Sequence, residues 1–347
     1  MIGWVGSSGG RGHRAGGGAN DGGGSIRIPA ACTGLFGLKL GRGLALWAAV
    51  RRGYVRNGQG VVTRTVRDSA RLYDAIVGPD PSADYLAQFP ATPYAHELDS
   101  RPSGLRIGFS VKSAVNTRPD REAVAAVEHA ARLLEDLGHH VEEVEPPYDD
   151  WALSRDFLSI WFAQVTAQVS EIKARTGAAN SQFEADTLAV AEYGRHSGLE
   201  AQMRAIDNTA SYVRSLAAFH QRFDYLLTPT IATTPPVIGA TANSSVIHAA
   251  ARVVHAVRGG RLLSLSGVLD ETVQNGLGWV PYTQLANVTG RPAISVPVHW
   301  TDDGLPLGVQ FVGKLGSERD LLRLAAQLED AQPWIHRFPA PTGLSSS

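Results

Sequence analysis

Three consecutive glycines, Gly22 to Gly24, stand directly before a serine, Ser25. Glycines leave the backbone without Cβ atoms, so their N–H groups can turn toward one point. Donors converging beside a hydroxyl suit acyl transfer, which needs a nucleophile and a site for the oxyanion that its attack creates. The same pattern also fits a glycine-rich turn before a helix with Ser25 as its N-cap. The motif alone leaves both interpretations open.

The surrounding residues form a longer motif. The stretch Asp21–Ala30 reads Asp-Gly-Gly-Gly-Ser-Ile-Arg-Ile-Pro-Ala, and Cys32–Lys39 continues it with Cys-Thr-Gly-Leu-Phe-Gly-Leu-Lys. This block resembles the central block of the amidase signature family, whose members hydrolyse carboxylic amides with a Ser–cis-Ser–Lys triad. The resemblance runs from about Asp21 to about Trp334, and further stretches that share it are Gly60–Ile76, Asp224–Thr230 and Pro281–Pro297.

The resemblance assigns roles to residues of this chain. It implies that Ser25 is the nucleophile and that Ser7, the first serine of Gly-Ser-Ser-Gly-Gly at Gly6–Gly10, follows a cis peptide bond and relays protons. Asp21 and Arg27 are expected to fix the loop by ion pairing and hydrogen bonds rather than to touch substrate. The backbone N–H groups expected to form the oxyanion hole are those of Gly22, Gly23, Gly24 and Ser25.

The sequence departs from the family at its N-terminal end. The family's catalytic lysine lies upstream of the Gly-Ser-Ser motif, which here begins five residues after the start of the chain, so no lysine matches it. Lys39 belongs to the tail of the signature; the other lysines are Lys112, Lys173 and Lys314. Where the family has an alanine-rich helix, this sequence has the glycine-rich stretch Arg11–Gly18. Each glycine disfavours a helix by about 1 kcal/mol relative to alanine. We therefore expect a truncated or mis-started family member, with a frameshift before Asn20 as one origin.

Composition excludes several classes of protein. Charged residues make up 19% of the 347 residues and the net charge is −1, so no global field favours nucleic acid or an anionic membrane. The single cysteine, Cys32, excludes an internal disulfide and a cysteine-based metal cage. No apolar run is long enough to span a bilayer, and no signal peptide is recognisable. We expect a cytoplasmic protein, and the chemistry that the resemblance implies needs no metal and no organic cofactor.

The predicted fold is α/β, and the resemblance implies the amidase-signature fold, a mixed central β-sheet covered by helices on both faces. A strand at Leu105–Ser110, an amphipathic helix at Asp120–Leu137 and a strand at His139–Glu145 predict a strand–helix–strand unit. Residues 151–223 have a helical pattern, and three aromatic residues there, Trp161, Phe162 and Phe183, fit either pocket or core. We expect a disordered or degenerate leader at 1–20, one domain at 21–335 and a tail at 336–347.

Several functions compete for this sequence. The main expectation is an amidase that acts through a serine acyl-enzyme on a small-molecule amide, a small or medium hydrophobic carboxamide. A relative of hydrolases of cyclic aminohexanoate oligomers is one form of it, and a homodimer is one arrangement left open. The alternatives are a catalytically inactive fragment and, ranked lower, a tRNA-dependent amidotransferase subunit. A phosphate-binding loop is disfavoured because no Gly-Lys-Ser/Thr follows the glycines.

Overall fold

The computed structural model describes residues 16–44, 58–79, 87–239 and 267–337. Ser7 and the Arg11–Ala15 stretch lie outside the described residues, as do positions 338–347 of the expected tail. The described part carries an eight-stranded mixed sheet with helices on both faces. The α/β class and the mixed central sheet predicted from the sequence are confirmed.

The strands, in chain order, are β1 (Gly16–Asp21), β2 (Phe36–Lys39), β3 (Gly58–Thr63), β4 (Arg106–Phe109), β5 (His140–Glu143), β6 (Tyr225–Pro229), β7 (Ala293–Trp300) and β8 (Pro306–Val312). Their order across the sheet is β1-β3-β2-β7-β8-β6-β4-β5. The pairs β4–β5 and β4–β6 are parallel, and the other neighbours are antiparallel. The sheet therefore places early strands beside strands from the last quarter of the described chain.

The α-helices are α1 (Arg27–Thr33), α2 (Val66–Ile76), α3 (Arg121–Asp136), α4 (Asp150–Thr176), α5 (Ala185–His196), α6 (Leu199–Arg222), α7 (Val268–Thr272), α8 (Gln284–Thr289) and α9 (Glu318–Ala331). Short 3-10 turns cover Tyr94–His96, Asn180–Gln182 and Ile335–Arg337, and a π-turn covers Val273–Leu277. No helix within the described ranges is both long and apolar enough to cross a membrane.

Local signals in the sequence set several of these boundaries. Thr65 caps α2 by accepting a hydrogen bond from the Asp68 N–H at 3.1 Å. The amphipathic pattern predicted for Asp120–Leu137 becomes α3, which connects the parallel strands β4 and β5. Gly290 ends α8 in the left-handed conformation, at φ 72°, before β7 begins. The predicted strand–helix–strand unit is confirmed.

Two apolar layers sandwich the sheet. On one face, α2, α3 and α9 pack against strand residues such as Ile294 and Val296. On the other face, α4, α6 and α8 cover residues such as Leu226 and Ala293. Helix α1 also lies on this second face, because its Ala31 approaches Gly308 of β8. The glycine–serine motif precedes α1 and is therefore supported by the sheet beneath it.

The glycine-rich residues before Asp21 form an ordered strand. Gly16 to Asp21 pair with β3 along six residues, although the sequence predicted a disordered or degenerate leader there. Strand pairing uses backbone groups, so it does not require side chains. Close packing also suits glycine here, because a Cβ at Gly16 would lie 2.7 Å from Cγ2 of Thr63.

Candidate active site

Four of the five residues between β1 and α1, Gly22–Ser25, form a tight turn that we call the glycine loop. Gly24 has φ +128°, and a Cβ there would lie 2.5 Å from Ile28 Cδ1, so the position requires glycine. Helix α1 begins at Arg27 with Ile26 at the N-cap position and no capping side chain. The interpretation of Ser25 as an N-cap is therefore wrong. The Ser25 side chain is half-buried and makes no hydrogen bond to another described residue.

The backbone N–H groups of this region divide into two sets. The Gly24 N–H donates to Asp21 Oδ1 at 2.7 Å, and the Ile26 N–H donates to Asp21 Oδ2 at 3.2 Å. The N–H groups of Gly22, Gly23 and Ser25 meet no acceptor among the described residues. Three of the four donors predicted for the oxyanion hole are thus unengaged, and the fourth is engaged by a carboxylate.

Arg27, the first residue of α1, fixes the glycine loop through its pair with Asp21. Its guanidinium has no exposed surface and forms a bidentate pair with Asp21, with Nε–Oδ2 and Nη2–Oδ1 both at 3.0 Å. All five guanidinium N–H groups have an acceptor, and the remaining acceptors are Thr283 O at 2.8 Å, Gln310 Oε1 at 2.5 Å and Asn287 Oδ1 at 2.6 Å. A buried arginine satisfied in this way holds Asp21 in one orientation.

The charge of Asp21 is maintained against its burial. Burial alone would raise the pKa of the Asp21 carboxyl, but the charge and hydrogen bonds of Arg27, with contributions from Lys39 and Asn287, lower it to about 2. Asp21 is therefore a carboxylate at neutral pH. Its two oxygens accept from the Gly24 and Ile26 N–H groups, so the Arg27–Asp21 pair determines the backbone path on both sides of Ser25.

Residues from the C-terminal part of the chain complete this support. Asn287 Nδ2 donates to Asp21 O at 2.8 Å and to Asp21 Oδ1 at 2.9 Å. The Thr283 hydroxyl donates to Gly23 O at 2.7 Å. Gln310 spans Arg27 and the Tyr282 carbonyl oxygen, the latter at 3.0 Å. The sequence analysis assigned these residues no role; the signal that it left unused is a buried polar side chain within an apolar helix or strand.

The lysines all have partners away from Ser25. Lys39 is buried, and its Nζ donates to Leu40 O at 2.8 Å and to Arg291 O at 2.9 Å. Burial, with the charge of Arg27, lowers the pKa of Lys39 to about 7. The other three lysines lie on exposed ion pairs or hydrogen bonds, namely Lys112 with Glu145, Lys173 with Asn180 and Lys314 with Asp224. Within the described residues, no group of His, Cys, Asp or Glu is arranged to hold a metal ion.

Comparison with known proteins identifies the family. A family model described as Amidase matches residues 5–322. The chain belongs to this amidase family. The resemblance to the amidase signature family seen in the sequence is confirmed.

Named amidases are among the similar relatives. The putative amidase AmiC of Mycobacterium leprae is 35% identical over 91% of this chain and 62% of its own length. The 6-aminohexanoate-cyclic-dimer hydrolase of a Pseudomonas species is 30% identical over 92% of this chain and 64% of its own length. The chain therefore spans less than two thirds of the length of these two relatives.

Solved structures show the same fold. A 6-aminohexanoate cyclic dimer hydrolase complexed with substrate superposes with TM-score 0.80 at 27% identity, covering 95% of this chain and 67% of that one. A bacterial aryl acylamidase of the amidase signature family superposes with TM-score 0.78 at 23% identity, covering 98% of this chain and 66% of that one. The amidase-signature fold expected from the sequence is confirmed.

Proposed function

We propose that this chain is an amide hydrolase whose nucleophile is Ser25. The observation that carries the proposal is the glycine loop, in which a half-buried, unengaged hydroxyl stands beside three unengaged backbone N–H groups. A hydroxyl nucleophile with preorganised donors beside it is the arrangement that acyl transfer requires. Membership of the amidase family supports the same chemistry.

In the proposed mechanism, Ser25 Oγ attacks the carbonyl carbon of the amide and its proton passes to the Ser7 hydroxyl, which gives its own proton to the amide nitrogen. The carbonyl oxygen becomes an oxyanion held by the N–H groups of Gly22, Gly23 and Ser25, with Gly24 joining them if its N–H leaves Asp21. One such donor is worth about 2.7–4 kcal/mol. The C–N bond then breaks and the amine leaves with a proton. Water hydrolyses the acyl-enzyme ester to the carboxylic acid and regenerates the Ser25 hydroxyl.

Among the described residues, no hydrogen bond links Ser25 to any of the four lysines in this sequence. All four lysines are occupied elsewhere, so none of them takes the proton of Ser25 in our proposal. Loss of a positioned general base typically lowers a rate by about 10²–10⁴-fold. The same observation favours a second candidate, an inactive amidase fragment that still folds.

The proposed substrate is a small, hydrophobic carboxamide. The similarity to the 6-aminohexanoate-cyclic-dimer hydrolase makes that dimer the first compound to test. We propose that the protein acts in the cytoplasm as a monomer or homodimer. The reaction as proposed uses no metal, organic cofactor, nucleic acid or membrane.

A serine-reactive fluorophosphonate separates the two candidates. Folded wild-type protein should form one covalent adduct that maps to Ser25, and heat-denatured protein should form none. Ser25→Ala should not be labelled, and its thermal unfolding should match the wild type. Labelling that persists in Ser25→Ala would refute the assignment of the nucleophile. A folded wild-type protein that is never labelled would support the inactive fragment.

A further inference from the structure

An aromatic ring from helix α4 lies against the glycine loop. A Cβ placed on Gly23 would be 2.7 Å from Cζ of Phe157 and 3.4 Å from its Cε2, so the tip of the ring points at the Gly23 backbone. Phe157 is buried, with 5% of its surface exposed. This contact brings helix α4, more than 120 residues further along the chain, onto the loop that carries Ser25.

The glycine at position 23 is explained by this contact alone. Gly24 needs glycine for its backbone angle, but Gly23 does not have a left-handed backbone. The three atoms that a Gly23 side chain would meet first all belong to Phe157. Real Cβ atoms essentially never approach another atom as closely as 2.7 Å. Any side chain at Gly23 must therefore displace Phe157 or the loop.

The Gly23 residue is held at a second point. The Thr283 hydroxyl donates to the Gly23 carbonyl oxygen at 2.7 Å, while the ring of Phe157 covers the Cα. The N–H of the same residue meets no acceptor among the described residues and is a donor of the proposed oxyanion hole. Two contacts thus limit how far this peptide can rotate away from the direction that an oxyanion requires.

Phe157 is itself held in place. Its ring lies 6.1 Å from that of Trp161, and it belongs to the same buried apolar cluster as Leu153 of α4 and Leu216 of α6. Helix α4 is capped at its start by Asp149, which accepts from the Ala152 N–H at 2.9 Å. Because close packing leaves the Phe157 ring little room to move, the ring limits movement of the Gly23 backbone toward α4.

From this geometry we infer that Phe157 is a positioning residue for the oxyanion hole, holding the Gly23 N–H in its working direction. The inference rests on the proposed function, because it concerns the same loop. Phe157 acts through the backbone of Gly23, so its removal should slow the chemical step more than it weakens binding. A misplacement of about 1 Å in a reacting group can cost about 100-fold in rate.

The test is a double-mutant cycle on the whole 347-residue chain, with fluorophosphonate labelling of Ser25 as the kinetic readout. Phe157→Ala should lower the maximal labelling rate by about 10- to 100-fold and leave the half-saturating probe concentration within about twofold. Phe157→Leu, which restores part of the volume, should recover much of that rate. Gly23→Ala should lower the rate by a similar factor. The double variant should be no slower than the slower single variant, because the overlap is gone.

Two controls match these changes. Phe162→Ala removes an equally buried ring from the same helix without touching Gly23, and should lower the melting temperature but not the labelling rate of folded protein. Gly18→Ala adds a Cβ with no atom within 4 Å and should change neither. Melting temperatures of the cycle give a second readout that does not require chemistry. The loss of melting temperature caused by Gly23→Ala should be smaller when Phe157 is also replaced by alanine.

The outcomes separate this inference from the proposed function. Wild-type labelling with multiplicative effects in the double variant would overturn the positioning role of Phe157 and leave Ser25 as nucleophile. Equal losses in Phe162→Ala and Phe157→Ala would overturn it as well, because a general loss of packing would then explain both. Absence of labelling in folded wild-type protein would overturn the proposed function and the positioning role together.

Discussion

Replacing Arg27 by methionine tests the support of the glycine loop most directly. The substitution keeps much of the side-chain volume but removes all five N–H donors from a position with no exposed surface. The Asp21 carboxylate would remain buried without its counterion. We expect the Gly24 and Ile26 N–H groups to lose a fixed acceptor as a result.

Two independent routes give the size of the effect. Breaking a buried ion pair by removing one partner typically costs about 3–5 kcal/mol. The pKa of Asp21 falls from 3.8 to about 2 on folding, and at about 1.36 kcal/mol per pKa unit this corresponds to about 2–3 kcal/mol of stability at neutral pH. The routes overlap near 3 kcal/mol. We therefore expect Arg27→Met to lower the free energy of unfolding by about 3–4 kcal/mol at pH 7.

The pH dependence should also change sign. In the wild type, the folded pKa of Asp21 is depressed, so its stabilisation is full above pH 3.8 and is lost as the pH falls toward about 2. In Arg27→Met, burial is no longer offset and the pKa of Asp21 should rise above its unfolded value. The variant then gains stability on acidification, because protonation removes the unpaired charge. The difference in free energy of unfolding between the wild type and Arg27→Met should therefore be smaller at pH 4 than at pH 7.

Urea unfolding followed by circular dichroism at pH 7 and at pH 4 measures both effects. Asp21→Asn combined with Arg27→Met is the matched control, because it removes both charges; it should be more stable at pH 7 than Arg27→Met alone. A loss below about 1 kcal/mol in Arg27→Met would refute the reasoning, since it is far less than a broken buried pair costs. The reasoning would equally be refuted if the double variant lost as much free energy of unfolding as Arg27→Met and Asp21→Asn lose together when measured separately.

Three further predictions follow from the same region. Lys39→Met should make stability depend less on pH in the alkaline range. In the wild type the pKa of Lys39 is about 7 in the folded state and 10.5 in the unfolded state, so between these values the unfolded state binds more protons and the free energy of unfolding rises by up to about 1.4 kcal/mol per pH unit. Melting temperatures of both proteins at about pH 7 to 9 would show whether this rise is lost in the variant. Gly24→Ala should cost about 1–3 kcal/mol in urea unfolding, because its φ is +128° and Ile28 occupies the Cβ site; an unchanged midpoint would contradict the loop geometry. Gln310→Leu should cost about 1–3 kcal/mol by leaving an Arg27 N–H without its acceptor, and a neutral result would show that another group replaces it.

Local features of the fold were predictable from the sequence. The cap at Thr65 and the amphipathic pattern of α3 are decided by residues three or four positions apart, so they can be recognised without knowledge of the fold. The glycine motif and Ser25 were recognisable for the same reason, because they are contiguous. Strand β1 was not predicted, since its pairing with β3 depends on backbone groups that composition does not reveal.

The partners of the loop could not be predicted, because they come from distant parts of the chain. Asn287 and Gln310 lie 260 and 283 residues from Arg27. Phe157 reaches Gly23 from a helix whose pattern indicates only burial. The sequence can indicate that a polar residue lies in a helix or that an aromatic residue lies in the core, but it does not indicate which loop that residue contacts. Ser7 and the proton relay lie outside the described residues, and their roles stay predictions.

The distance between Arg27 and Gln310 has a consequence for how the protein is made. A ribosome adding about 5–20 residues per second needs roughly 15 to 60 seconds to travel the 283 residues between them. For most of that interval the guanidinium has been synthesised without any of these partners, because Thr283 and Asn287 follow Arg27 by 256 and 260 residues and Gln310 comes last. The loop that carries Ser25 is thus translated long before the residues that support it, and it can acquire its native shape only after they have been synthesised. Nascent chains should therefore remain unreactive toward serine probes until β8 has left the ribosome.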